Sequence, residues 1–146
     1  MSATSDTGSP VSAPTTIGAA TAAARLTTVV AIGVLVQAIL AGVFVGGDHP
    51  HATDVHQVIG PALIVPSLAA SIITRLRLRT TPAGRRAYIA GIGVTVTLII
   101  EDALGFISGD HPGVLVLHIP VAVALFGLLV RQLTSLRQLI RLNPRS

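Results

Sequence analysis

Two of the chain's five histidines close related stretches: GDHPHATDVH, from Gly47 to His56, and GDHPGVLVLH, from Gly109 to His118. In each, a turn-like Gly-Asp-His-Pro corner leads to a histidine that opens an apolar run. Two neutral imidazoles that face each other across a helix bundle can hold a haem iron from both sides of its plane. His56 and His118 are therefore the candidate ligands of one haem. The alternative is that both are interfacial side chains, hydrogen-bonded near lipid headgroups or to each other. A polar ring placed in lipid without a partner costs several kcal/mol. Setting two there in symmetry asks for a compensating interaction.

The remaining polar residues sort into two groups. Asp48, His49, His51, Asp110 and His111, with Asp54 nearby, have side chains that also suit zinc or copper(II). Their spacing matches no zinc signature, and Gly-Asp-His-Pro is equally ordinary turn chemistry: glycine past a helix end, proline at a helix start. Glu101 and Asp102 lie about seven residues, roughly 10 Å, inside an apolar run. Acids at such depth are costly and default to functional candidates. They could exchange protons coupled to redox chemistry or bind a quinol, or they could be neutral acids hydrogen-bonded toward Gln37 or Thr97.

The elements that must position these residues follow from composition. Of 146 residues, 51% are hydrophobic and 11% charged, against about a quarter charged in a soluble domain. Four apolar stretches, about 26–46, 56–76, 87–108 and 114–134, reach the roughly 20 residues that a membrane helix needs. Their connections are short, so consecutive helices become antiparallel neighbours. The expected fold is all-α: an integral membrane, antiparallel four-helix bundle over 25–136, with a disordered tail at 1–24 and a basic tail at 137–146.

The chain also repeats itself. At an offset of sixty-two, Ala41 pairs with Ala103, Phe44 with Phe106, Gly47-Asp48-His49-Pro50 with Gly109-Asp110-His111-Pro112, and His56 with His118. Two repeated helical hairpins around a pseudo-two-fold axis place the second and fourth helices across the bundle from each other. His56 and His118 then stand at equal depth, with Gly42, Gly60 and Gly105 near them leaving room for a macrocycle. Glu101 and Asp102 break the symmetry, because their partners are Ile39 and Leu40.

All ten basic residues are arginines, and they fall at Arg25, between Arg75 and Arg86, and from Arg131 to Arg145. The positive-inside rule assigns that side, with both termini, to the cytoplasm and every histidine to the outer side of the cell membrane. No aromatic residues interleave with the arginines, which speaks against nucleic acid and for lipid headgroups. Arginine-only usage with much alanine and valine is compatible with a bacterial, GC-rich source. There is no cysteine, so disulfides and thiolate metal sites are excluded.

The run TVTLIIEDALGFISGDHPGVLVLHIPVAVALFGLLV resembles the third and fourth helices of one half of the haem A synthase family, and LVQAILAGVFVGG resembles the end of its first helix. Members of that family are membrane proteins of two similar four-helix bundles. Each bundle offers a histidine at the outer end of its second helix and another near that of its fourth. The resemblance covers residues 26–134 and implies that His56 and His118 take those two places. The chain departs from the family in supplying one bundle, lacking cysteines, and having TDVHQ where the family has Glu-x-x-His-Arg. Thr53 stands at the catalytic glutamate's place, and Asp54 is one residue, about 100°, out of register. The resemblance thus implies a haem b bundle without the family's oxidation of a haem methyl group.

Three classes of function fit these residues: a bis-histidine cytochrome for electron transfer or haem handling, a small cation transporter or metal-binding protein, and a cofactor-free accessory subunit. The first implies a redox partner or larger membrane complex, or a homodimer that rebuilds eight helices.

Overall fold

The computed structural model describes residues 13–45, 47, 50–108 and 111–142. They form α1 (Ala13–Val45), α2 (Pro50–Ala62), α3 (Ile64–Arg77), α4 (Pro82–Ser108) and α5 (Leu115–Leu142), the last preceded by a short 3-10 turn at Pro112–Val114. No strand occurs among the described residues. Four spans are long and apolar enough to cross a membrane: Thr16–Val43, Pro50–Arg77, Pro82–Ser108 and Leu115–Leu142. Their outer surfaces are apolar, with Val65 71%, Val116 74% and Phe106 86% exposed. In a soluble protein such faces would be buried; here they mark an all-α four-helix bundle bathed in lipid.

The 28 residues of Pro50–Arg77 make about 42 Å of helix, more than the roughly 30 Å hydrocarbon core. Two expectations are corrected at the arginine-bearing end. Residues 13–24, expected in a disordered tail, are the first three turns of α1, and the helix of α5 runs through 137–142. Alanine carries the highest helix propensity, and here it also packs. Ala20 and Ala23 join Leu78, Ala83, Ala87, Leu136 and Leu139 in a buried cluster.

The second span is not one continuous helix. Pro61 sits inside α2, Pro66 follows in α3, and Leu63 between them is a turn. Each proline removes one backbone donor and crowds the preceding turn. Leu63 stays tied to Ile59 and Gly60 by backbone hydrogen bonds of 3.2 and 3.0 Å, and its side chain fills the notch that Gly33 leaves in α1.

Around the bundle, α1 packs on α2, α3 and α5, and α4 packs on the same three. Among the described residues the backbones of α1 and α4 do not approach each other, nor do those of α2 or α3 approach α5. The diagonal pairs are thus the first with the third span and the second with the fourth, as two hairpins related by a two-fold axis require. A second core of Val30, Leu63, Val94, Leu98, Leu125 and Leu129 fills the middle. The hairpins are also joined there by a 2.8 Å hydrogen bond between the hydroxyls of Ser67 and Thr95. Thr27, Thr28 and Thr74 return their hydroxyls to carbonyls four residues back, which satisfies them without water.

Candidate functional site

His56 lies six residues past Pro50, which starts α2, and His118 six past Pro112, which starts the 3-10 turn. Because α2 begins at Pro50 and not near residue 56, His56 stands in its second turn and not its first. The equivalence of the two positions is kept. They come from the second and fourth spans, which lie diagonally, and both rings are partly buried.

Each imidazole turns Nδ1 toward the helix beside it. His56 Nδ1 donates to the backbone carbonyl of Gln37 in α1 at 3.2 Å. The Gln37 side chain answers by donating from Nε2 to the His56 carbonyl at 2.9 Å, so two bonds clamp one residue to the other. His118 Nδ1 stands 2.6 Å from Glu101 Oε2 in α4. A histidine that donates from Nδ1 carries its lone pair on Nε2, and a carboxylate or carbonyl behind that nitrogen is how proteins orient a metal-binding imidazole. At both sites Nδ1 faces an oxygen of the neighbouring helix, a hydrogen-bonding carbonyl for His56 and an acid in ion-pair contact for His118.

Glu101 is 7% exposed, while Asp102, the next residue, turns toward α2. A Cβ on Gly60 would meet Asp102 Oδ1 at 2.5 Å and Gln37 Nε2 at 3.0 Å. Gly60 therefore makes room for these two polar side chains, contrary to the expectation that it clears space for a macrocycle. Gly105 does face the site: a Cβ there would lie 3.8 Å from His118 Cε1, and nothing lies within 4 Å of one on Gly42. His56, Glu101, Asp102 and His118 are near enough to interact electrostatically. Together with Gln37 they form one polar cluster inside the histidine end.

The packing around this cluster is open. Among the described side chains of 31–43, 50–62, 99–108 and 111–124, only Gly60 and Glu101 are buried. No leucine or valine closes the bundle here as they do farther down. Imidazoles on the second and fourth spans, with Gly105 beside His118, are the side chains that would hold a haem if one were bound here.

The sequence singles out both histidines and both acids but not the contacts among them. Glu101 meets His118 and not Gln37 or Thr97, while Asp102 lies with Gln37 beside Gly60. Gln37, a lone amide in an apolar helix, was the available sign of the His56 clamp. In the proposed outer metal cluster, His51, Asp54 and His111 are exposed, and Asp48, His49 and Asp110 lie outside the described residues. Among the described residues no group of three histidine, cysteine or acidic side chains is arranged to hold a metal ion.

No family model matches the chain, and no curated protein and no solved structure matches it.

Proposed function

We propose that this chain is a small membrane cytochrome that holds one haem b between His56 and His118 and serves electron transfer or haem handling. The observation that carries the reading is the matched orientation of two imidazoles on diagonal helices, one against the Gln37 carbonyl and one against Glu101. Haem, when bound, supplies a one-electron couple. The residues of the chain bind it, orient its ligands and, at Glu101, place an acid behind one of them. With Thr53 where a catalytic glutamate would stand, the reading is a binding and redox protein and not an oxidase. By the positive-inside rule the arginine end faces the cytoplasm and the haem lies near the outer face of the cell membrane. No histidine occurs in the arginine half of the chain. Electrons would therefore enter and leave on the outer side, or through a partner complex.

The test is the absorption spectrum of the protein purified in detergent, oxidised and then reduced. Sharp reduced bands of low-spin haem, at one haem per chain, are the expected result. A colourless protein carrying stoichiometric zinc or copper would sink the reading.

One observation favours a second reading, a small cation or proton transporter. Glu101 Oε1, Asp102 Oδ2, Gln37 Oε1 and His118 Nδ1 are buried with no hydrogen-bond partner in the protein, a corner of three acceptor oxygens and a ring nitrogen that would suit a cation or a proton donor such as a quinol. Uptake of a cation by haem-free protein in vesicles, lost in Asp102→Asn, would select it.

A further inference from the structure

The arginine end carries charge that the fold leaves unbalanced. Nine of the ten arginines are described, and all nine are exposed. The described acids, Asp54, Glu101 and Asp102, all belong to the histidine half, and the ion pair among the described residues is His118 with Glu101. Within this surface Arg79, Arg85 and Arg86 line a cleft of about 590 Å³ with Thr80, Thr81 and Ile89, where the turn after α3 meets the start of α4.

The cleft is built on a fixed frame. Thr81 Oγ1 accepts from the Gly84 N–H at 3.0 Å and donates to the Leu78 carbonyl at 3.2 Å, and the Arg85 N–H donates to the Thr81 carbonyl at 2.8 Å. Arg86 is steadied from α5, since its Nη2 donates to Gln138 Oε1 at 3.1 Å. The positive end of the α4 dipole adds to the three guanidinium charges. Ile89, one turn farther along α4, is 54% exposed, so the polar cleft opens downward onto an apolar, lipid-facing wall. Guanidinium groups match the oxygens of a phosphate in paired hydrogen bonds. A phosphate with acyl chains attached satisfies both halves of the cleft, and a free phosphate only one.

We propose that this cleft binds the phosphate of an anionic lipid, held by Arg79, Arg85 and Arg86 with an acyl chain against Ile89. The inference is independent of the cofactor reading.

The whole protein, purified in a neutral detergent, is titrated with phosphatidylglycerol, with phosphatidylcholine of the same chains, or with inorganic phosphate. Bound lipid is followed by native mass spectrometry and the unfolding midpoint by thermal scan. Phosphatidylglycerol should bind and raise the midpoint, and the other two should not. At roughly fivefold per arginine near an anionic headgroup, Arg79→Gln with Arg85→Gln should weaken retention about 25-fold. Arg25→Gln with Arg131→Gln removes the same charge outside the cleft and should weaken it far less. Equal losses in the two double variants would overturn the site, as would equal binding of phosphatidylcholine; an equal midpoint shift with inorganic phosphate would overturn the lipid as its ligand.

Discussion

At the arginine end, Leu136 and Leu139 of α5 meet Ala20 and Ala23 of α1 and Leu78 at the close of α3, each at most 4% exposed. At the histidine end, a comparable length of four spans buries only Gly60 and Glu101 among its described side chains. Both ends are built from the same repeated hairpin, so the difference lies in side chains and not in topology. Lipid is as apolar as leucine, and helices in it associate through close packing of small residues and through interhelical hydrogen bonds. The arginine end uses chiefly the first means, with the Arg86–Gln138 bond at its surface, and the histidine end the second. An end held by Gln37, Glu101 and two histidines is poorly suited to be only a structural clamp, because open polar packing stabilises less than a closed core. It is well suited to hold a group that completes it.

Breaking the two ends should therefore produce separable defects. The largest effect is expected from His56→Ala or His118→Ala: each should abolish haem binding altogether, while the protein still elutes from size-exclusion chromatography as the parent does. Next comes Leu136→Ala, which removes a fully buried side chain from the arginine end. It should cost about 3 kcal/mol in a reversible unfolding titration, with the haem-to-protein ratio unchanged when folded. Glu101→Gln should leave haem bound but raise its midpoint potential, since an acid behind a ligand imidazole favours the more positive iron. The shift should be on the order of 59 mV, tenfold in the one-electron equilibrium, as read by spectroelectrochemistry. The smallest effect belongs to Gln37→Leu, which removes the 2.9 Å bond to the His56 carbonyl and should cost about 1 kcal/mol of stability. A larger loss of haem than of stability in that variant would show the clamp acting on the ligand.

Much of this contrast is written in the sequence. Span lengths, short connections and the offset of sixty-two were enough to place the second and fourth helices diagonally, with His56 on one and His118 on the other. The start of α1 was not legible, because the alanines before Leu26 show no apolar periodicity and reveal their role only when Ala20 and Ala23 pack against α5. Pro61 and Pro66 were visible, yet prolines are tolerated inside membrane helices, as Pro120 is in α5. The break at Leu63 depends on the notch at Gly33 in another helix. The acid–histidine contact was the least legible feature. Glu101 and His118 sit on different helices, so no spacing along the chain determines which acid meets which ring or which oxygen faces it. Gly60 shows the same limit, since its neighbours Asp102 and Gln37 come from α4 and α1.

The central claim is that the histidine end exists to hold one haem through both rings. Its most direct test is haem quantification as the pyridine complex, per folded chain, in the parent, His56→Ala and His118→Ala proteins prepared side by side. The account predicts one haem in the parent and none in either variant. Full haem content in either variant, or none in the parent, would contradict it.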